Sequence, residues 1–576
     1  LSITTIAGTA LEANRQTGTV TVSSNTGSIS ATGGAAVNII NTAGNTTPLA
    51  LNLGALSANN SSLATTCLAG TSPAGFCASG ATGSMTAASL TVTVGSNRYG
   101  ARINNSSASF TFAAVNISGM TVSSSEADTS PSDGFPDNST SDGDGVFLSA
   151  NTGSFTINGG SITNTNGNGA DNVDIRSSSN VAINNVTLSG AGKSNLQAIN
   201  MTGTGSFNNG TVTGAGAFNT ADAFYFRANA GTLTRFDIDN TNCTMSTSAS
   251  AEDCFEFVAS GIHTALVDIG SATDSGVWRS NTNTVEAVSE GSANLTLNMQ
   301  SIDASPISSG VSGMVLGSND TSSLIFRVLN NNFTNIGNGL LAPPALGTIR
   351  IFPEETSTMR GRFEGNFVDT VPTYENHNVY ISTLGNPSAL ELYINNNTLE
   401  VQDLYAAIYF RTVCNGCIAQ SSGDIFIQNN VITGLSDSNG IELSINDEAG
   451  TSGLRFNITG NTVNLPPAGI GYGILINVND LARNVDATLN TNVLDGGLAE
   501  FRARTRHINN NFCLNFTNHV GDDVSLINLN GVFEVVNYAA LAANNPGSTI
   551  TATGTITNVG SCSTPTSSGL VHEYNS

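Results

Sequence analysis

The chain alternates apolar and polar residues in short runs, and one pattern returns many times. An apolar residue is followed by two small polar residues, an asparagine and then the next apolar run. In the second half of the chain the pattern appears as LNNNFTN from Leu329, FEGNFVD from Phe363, YINNNTLE from Tyr393, IQNNVIT from Ile427, ITGNTVN from Ile458, LNTNVLD from Leu489 and INNNFCL from Ile508. A pattern that returns at a regular period indicates a repeat architecture.

The apolar residue that opens each pattern returns at steps of mostly about 24 to 34 residues, which is the range typical of a solenoid. These opening residues are Ile157, Ile183, Phe207, Ile238, Val267, Leu297, Leu329, Phe363, Ile394, Ile427, Ile458, Leu489 and Ile508. A second family of runs precedes them, and its members alternate with the period of two of a half-buried strand. The run from Phe224 to Arg227 is one example.

These two families, in a fixed order along the chain, predict an all-β parallel β-helix solenoid whose coils take roughly 20 to 30 residues each, with loop excursions. Equivalent strands of successive coils would stack about 4.8 Å apart. The recurrent asparagine is expected at a corner, because Asn tolerates left-handed backbone angles. Stacked asparagines can also hydrogen-bond to one another along the axis and so satisfy buried amides.

Composition excludes several classes of protein. The chain has 18 Lys and Arg residues against 42 Asp and Glu residues, a formal net charge of -24, and only 10% of its residues are charged. A helical protein would be richer in Lys and Glu, and a disordered chain would lack the regularly placed apolar residues. The acidic balance argues against nucleic-acid binding, which needs a cationic surface. No apolar run approaches the roughly 20 residues of a membrane span.

The eight cysteines indicate an oxidising compartment. Cys67 and Cys77, Cys243 and Cys254, and Cys414 and Cys417 lie close together in pairs, which leaves Cys513 and Cys562 for each other. A redox or zinc pair is the alternative for Cys414 and Cys417. Zinc needs about four ligands, and neither a second such pair nor a nearby His cluster accompanies them. Four disulfides and an extracellular or cell-surface location are therefore expected.

One insertion, residues 126–145, is rich in aspartate, with Asp133, Asp137, Asp142 and Asp144 among Ser, Pro and Gly. Calcium is the cation that such a set of oxygens would hold. The spacing, however, follows neither an EF-hand loop nor a Gly-rich calcium repeat. An acidic surface loop without an ion is the favoured interpretation, and no other cofactor is expected.

Over about residues 90 to 530 the repeat resembles the right-handed parallel β-helix of pectate-lyase-like proteins and of large secreted bacterial surface proteins. The resemblance implies a β-helix over 91–530 and a C-terminal cap over 531–576, with a short helix within Tyr538 to Ser548. Residues 1–90 would form an N-terminal cap or irregular first coils. The final segment is similar to the closing part of bacterial β-strand-repeat surface proteins.

The resemblance also directs attention to one outward sheet face, where β-helix enzymes hold carboxylates and Arg or Lys. The candidate glycan-binding residues on this face are Tyr225, Arg227, Glu256, Arg350, Tyr380, Tyr409, Arg411 and Glu442. Paired carboxylates could act on a glycosidic bond, and Tyr and Arg could stack on sugars. Ordinary solvent-face pairing explains the same residues, and of the motifs of β-helix pectin hydrolases only Asp522-Asp523 occurs. No catalytic residue is therefore assigned.

We accordingly expect a non-enzymatic structural or adhesive protein of the cell surface. The end strands of a solenoid keep unpaired edges, so copies could stack head to tail into a filament. The alternative is a protein that binds or degrades a polysaccharide on the outward face. The expected partners are therefore other copies of this chain or surface glycans.

Overall fold

The computed structural model describes most of the chain and groups it into two compact units, residues 1–258 with 263–281 and residues 259–262 with 282–576. The described residues are 2–14, 18–23, 26–40, 46–59, 74–94, 99–120, 144–164, 170–215, 222–245, 253–274, 276–280, 282–305, 312–336, 347–370, 377–385, 389–401, 405–413, 422–435, 437–446, 453–467, 469–479 and 484–567. Both units are built from short parallel strands, which confirms the predicted parallel β-helix.

The first unit forms coils of three strands, so a third stack joins the two predicted strand families. Its first stack contains Leu11–Asn14, Val37–Ile40, Ala74–Ser79, Tyr99–Asn104, Val146–Ser149, Val173–Arg176, Leu196–Ile199, Phe224–Ala228 and Phe255–Ala259. Its second stack contains Val20–Val22, Ser109–Phe112, Phe155–Ile157, Ser179–Asn184, Thr202–Asn208, Thr232–Asp239 and Thr264–Ile269. Its third stack contains Ile3–Thr5, Ser28–Thr32, Val115–Met120, Gly160–Asn164, Val186–Ala191, Thr211–Ala215, Asn242–Thr244 and Val277–Arg279. Two long strands, Thr47–Asn59 and Ala81–Thr93, pair in both the second and the third stack.

The second unit repeats this order of strands. Its first stack contains Val285–Ser289, Met314–Ser318, Gly347–Pro353, His377–Leu384, Ala406–Val413, Asn439–Ile445, Tyr472–Val478, Ala499–Thr505, Asp523–Asn528 and Thr549–Thr553. Its second stack contains Asn294–Gln300, Ser323–Leu329, Thr358–Glu364, Ala389–Asn395, Gly423–Gln428, Gly453–Thr459, Asn484–Asn490, Asn511–Thr517, Val532–Val536 and Thr557–Val559. Its third stack contains Asp303–Ala304, Asn332–Ile336, Phe367–Thr370, Thr398–Val401, Val431–Gly434, Thr462–Asn464 and Val493–Asp495. A 3-10 turn, Tyr538–Ala540, and a short α-helix, Leu541–Asn544, lie where the sequence indicated a helix.

The core of each unit consists of the inward apolar residues of successive strands. In the second unit one such column contains Val328, Phe363, Ile394, Ile427, Ile458, Leu489 and Phe516, all buried. Two of the predicted opening residues are wrong, because Leu329 points outward next to Val328 and Ile508 is exposed outside any strand. Val267 pairs with Phe236 in the first unit, and Leu297 pairs with Phe326 in the second unit. Within its own unit, each of the two therefore lies in the buried column next to the expected one.

The recurrent asparagines form the predicted corner ladder, but two adjacent residues have separate roles: the first makes the turn and the second forms the ladder. The first of them adopts a positive φ; it is Asn330, Gly365, Asn396, Asn429, Gly460 or Thr491. The second is always a buried asparagine, and these are Asn331, Asn366, Asn397, Asn430, Asn461 and Asn492. The turn therefore needs a residue that tolerates left-handed angles, whereas the ladder needs an amide.

The ladder asparagines from Asn331 to Asn461 bond to the coils on both sides, and the side chain of Asn492 bonds to the preceding coil. Asn397 Nδ2 donates to Asn430 Oδ1 at 2.9 Å and to the Phe363 carbonyl at 3.0 Å. Asn397 Oδ1 accepts from the Asn366 backbone N–H at 2.9 Å and from Asn366 Nδ2 at 3.2 Å. Successive ladder residues are 35, 31, 33, 31 and 31 positions apart, so the loops absorb differences in coil length while the corners stay in register.

Replacing one ladder asparagine should destabilise its coils. Asn397→Ala leaves the Asn366 N–H and the Phe363 carbonyl without their partners, and each buried unpaired group costs about 1–3 kcal/mol. We expect a loss of about 2–5 kcal/mol in local opening free energy, measured by hydrogen exchange of the amides of these coils. Asn464→Ala, an exposed asparagine at the end of the strand Thr462–Asn464, is the control. Equal effects of the two substitutions would contradict the role of the ladder.

Candidate functional site

The first stack places the predicted residues of the second unit side by side on its outward face. Arg350, Tyr380, Tyr409 and Glu442 occupy one register position on four successive strands. Arg411 lies in the neighbouring outward row. The predicted row is therefore a real geometric feature of this unit, and its predicted affinity for glycans stays a prediction.

This row is more buried than an exposed strand face. The His377 ring stacks on Tyr409 at 4.3 Å between ring centroids and on Tyr380 at 5.6 Å, and Arg411 lies 5.4 Å above the Tyr380 ring. Tyr380 is only 5% exposed and His377 only 7%. The expectation of a solvent-facing row is therefore wrong for Tyr380, because its ring is packed within an aromatic stack.

Burial also sets the protonation of His377. Desolvation is the main effect, and it lowers the pKa of His377 to about 4. A hydrogen bond with the Ala406 backbone raises the pKa less strongly, and the positive charge of Arg411 lowers it. Nδ1 lies 3.0 Å from the Ala406 nitrogen and 3.2 Å from the Ala406 carbonyl oxygen, so its role as donor or acceptor depends on the tautomer. His377 is thus neutral at pH 7 and packs as an aromatic ring.

Glu442 and Arg350 are likewise engaged by their neighbours. Glu442 accepts hydrogen bonds from Asn439 Nδ2 at 2.7 Å and from Ser444 Oγ at 3.0 Å, and burial raises its pKa. The Arg350 guanidinium lies 4.8 Å from the centroid of the Phe352 ring. These contacts hold both side chains against the sheet face.

The outward face of the first unit has a different composition. Asp174, Gln197 and Tyr225 share one register position, and Arg176 and Arg227 lie in the neighbouring row. Asp174 is fully buried and forms an ion pair with Arg176 at 2.8 Å. The buried pair makes Asp174 part of the packing and not a solvent-facing carboxylate.

Aspartates at the corner before the first stack form a short carboxylate ladder. Asp144 Oδ1 accepts from the Asp171 N–H at 3.0 Å, Asp171 Oδ1 accepts from the Ser194 N–H, and Asp222 Oδ1 accepts from the Asp253 N–H at 2.9 Å. Of the four predicted calcium ligands only Asp144 is described, and its described role is in this ladder. Asp133, Asp137 and Asp142 lie outside the described residues.

Asp222, Asp253 and Glu256 bring three carboxylates together, with one oxygen from each within 4.8 Å of the others. Burial raises the pKa of Asp222 well above its ordinary value and also raises that of Glu256, and the neighbouring carboxylates add to the effect at Asp222. These three residues could hold a cation or share a proton, whereas the other close group of the described residues, Asp486 with Cys513 and Cys562, contains a disulfide. Glycosidase carboxyl groups are usually about 5 to 9.5 Å apart, so this closer cluster fits cleavage of a glycosidic bond poorly.

Two of the predicted disulfides are present. Cys243 and Cys254 are joined with a Cα–Cα distance of 6.1 Å, and Cys513 and Cys562 with 5.6 Å. Cys77 is also disulfide-bonded. Cys67, Cys414 and Cys417 lie outside the described residues, so their predicted pairings stay predictions.

A second outward row of charged residues was not predicted from the sequence. Arg360, Glu391, Asp424, Arg455 and Asp486 share one register position on the second stack of the second unit. Each of them stands six residues before a ladder asparagine, so counting backwards from the ladder would have found the row. Residues 561–567 lie across this row, and we call them the strap.

No family model, curated protein or solved structure matches the chain. Within the described residues, no helix has the length and apolar character needed to span a membrane. The fold and the arrangement of side chains therefore carry the functional argument by themselves.

Neutralising Asp222 should stabilise the protein at neutral and higher pH. The raised pKa means that folding keeps a proton that the unfolded chain loses above about pH 4. Stability is then greatest below that pH and falls as the pH rises towards the pKa of the folded state. Asp222→Asn removes this loss and still offers an oxygen to the Asp253 N–H.

We expect the Tm of Asp222→Asn to exceed that of the parent at pH 8 and to approach it near pH 4, measured by differential scanning calorimetry. Each unit of pKa difference is worth about 1.4 kcal/mol. Glu12→Gln removes an exposed carboxylate of the same unit and serves as the control. The same Tm difference between Asp222→Asn and the parent at pH 4 and at pH 8 would rule out the raised pKa.

Proposed function

We propose that the chain is a non-enzymatic, extracellular structural or adhesive β-helix protein whose copies join head to tail into a surface filament. The observation that carries the proposal is the asparagine ladder. It commits buried amides to bonds along the stacking axis over six successive coils of the second unit. Such bonds stiffen a stack of coils and serve no reaction.

The outward residues support the same reading. Tyr380, Tyr409 and His377 are stacked on one another, and both Glu442 and Asp174 are bonded to neighbouring side chains. A catalytic carboxylate would need access to substrate and a partner at a suitable distance. The sheet face is thus better suited to a durable surface than to turnover.

The extracellular location rests on the disulfides, because such bonds persist in oxidising compartments. Head-to-tail joining rests on a general property of parallel stacks, whose end strands keep unpaired N–H and C=O groups that can pair with another chain. A contact between two different ends propagates into a fibre. The partner that this proposal assigns is another copy of the same chain.

Electron microscopy over a range of protein concentrations tests the assembly. We expect unbranched fibres that lengthen as the concentration rises, because end-to-end contacts are set by mass action. Glu442→Gln should leave the fibres unchanged, since Glu442 lies on a lateral sheet face. Isolated particles at every concentration would contradict filament formation.

The alternative function, binding or cleavage of a polysaccharide on the outward face, has its own outcome. If the alternative is right, the protein should bind to a glycan array or to an acidic polysaccharide, or it should release sugars from that polysaccharide. Retention would be weakened by replacing Tyr225, Tyr380 and Tyr409 together, and release would be lost in Glu256→Gln, Arg350→Ala or Glu442→Gln. Retention with isolated particles would favour this alternative over the structural role.

A further inference from the structure

The strap leaves the last described strand and runs back over coils that precede it in sequence. The Ser563 N–H donates to Asp486 Oδ1 at 3.1 Å, and Thr566 Oγ1 donates to Asp424 Oδ2 at 3.4 Å. Ser567 Oγ is hydrogen-bonded to the Tyr393 hydroxyl at 2.6 Å. The strap thus meets three strands of the second stack in an order opposite to the sequence.

The spacing of these contacts matches an extended chain laid across the strands. Asp486 and Asp424 are two strands apart, which is about 9.6 Å. The three residues from Ser563 to Thr566 span about 10 Å when extended. Each strap residue therefore advances by roughly two-thirds of the spacing between coils. Pro565, which has a fixed φ and no N–H, is compatible with the extended conformation of the strap.

The surface under the strap is unusual for the outside of a sheet. Tyr393 and Phe426 point away from the core, and their rings stack at 4.5 Å with an angle of 2° between them. They are only 5% and 8% exposed. Burial raises the pKa of Tyr393 to about 12, and its hydroxyl donates to Glu391 Oε1 at 2.8 Å.

The charges of this surface match the chemistry of the strap. The strap carries hydroxyls and backbone N–H groups but no charged side chain, whereas Asp424 and Asp486 offer carboxylate oxygens as acceptors. Arg455 pairs with Asp424 at 2.6 Å and fixes that carboxylate. A cavity of about 290 Å³ between strap and sheet, lined in part by Asp486 and Glu534, flanks the Cys513–Cys562 disulfide.

We propose that this face, from Glu391 to Asp486, is a docking groove for an extended, hydroxyl-rich segment, and that the Cys513–Cys562 disulfide selects the chain's own strap over the strap of a second copy. Because the two straps are chemically identical, the groove recognises both. The peptide chain already holds the strap near the groove, because the strap begins two residues after the strand Thr557–Val559, and the disulfide is a second tether that raises the effective concentration of the resident strap further. Without that link, the strap of a second copy competes for the groove. This exchange does not require the filament proposed above.

Formation of the link has a defined balance. Two thiols, of Cys513 and Cys562, become one disulfide, and two electrons and two protons pass to a disulfide oxidant such as oxidised glutathione, which becomes two thiols. The same chemistry between two copies would join Cys562 of one to Cys513 of the other. Such a bond places the strap of the first copy at the edge of the second copy's groove, because Cys513 pairs in register with Asp486.

Two single-cysteine variants test this directly. Isotopically labelled Cys513→Ser keeps a free thiol on the strap, and unlabelled Cys562→Ser keeps one in the groove. We expect mixing with oxidised glutathione at high protein concentration to give a labelled-to-unlabelled Cys513–Cys562 disulfide, identified by mass spectrometry. Cys243→Ser mixed with Cys254→Ser is the matched control, because both of these thiols are fully buried.

The yield from the strap pair should exceed that of the control at least tenfold. It should fall at least tenfold when the groove copy also carries Tyr393→Ala and Asp424→Ala. A yield equal to the control, or one that these groove substitutions leave unchanged, overturns the proposal. Circular dichroism shows that each variant is folded, and an intact Cys243–Cys254 bond is a second check for the variants that change Cys513 or Cys562.

A measurement on the unaltered chain keeps the proposal testable if a variant does not fold. Tetranitromethane should nitrate Tyr393 slowly in the oxidised protein and several-fold faster after dithiothreitol opens the disulfide. Tyr538, which is half-buried and makes no contact with the strap among the described hydrogen bonds, is the internal reference. Tyr393 that reacts equally fast before and after reduction would show that the disulfide does not hold the strap in place. Fibres seen by microscopy would bear on the filament alone.

Discussion

The buried asparagine amide is the constraint on which the second unit depends. Each amide has two donors and one acceptor oxygen, and in the core of a corner these can be satisfied only by the coils above and below. A shift of one coil by one residue would therefore break the side-chain and backbone bonds of Asn397 at once. Apolar packing alone excludes a one-residue shift, which would turn the inward residues outward. It would discriminate less strictly against a shift of two residues, since most inward positions are merely apolar, whereas the amide bonds would be lost in that shift too.

This constraint explains why coil length and coil register are independent. The steps between ladder residues vary from 31 to 35 positions, yet the strands remain aligned. The surplus residues leave the coil between strands and do not disturb the column. The first unit applies the same device with carboxylates, because Asp144 and Asp222 each accept the backbone N–H of an aspartate in the next coil. There the cost is a buried acid, which appears as a raised pKa.

The outward faces then divide into regions of different character. On the first stack, His377 and the tyrosines pack on one another, so a row that alternates like a solvent face is largely enclosed. On the second stack the strap lies on the outward face, where Ser567 is bonded to the buried Tyr393. In both places an outward position in the strand pattern does not mean an exposed side chain. The period of two reports which side of the strand a residue occupies, whereas its exposure depends on what lies over it.

The sequence by itself determined the parallel β-helix, the asparagine ladder and two of the disulfides, because each leaves a local and repeated signature. The alternation of apolar and polar residues, the left-handed corner and the buried amide are properties of single coils, so the local sequence is enough to predict them. Only the tertiary structure decided how neighbouring coils align, and this alignment places Val328 and not Leu329 in the core column. Only the tertiary structure showed the third stack of short strands. It alone decided the meeting of Ser567 with Tyr393, since that contact joins residues 174 positions apart. Such contacts between distant residues depend on how the coils stack, so the local sequence pattern does not predict them.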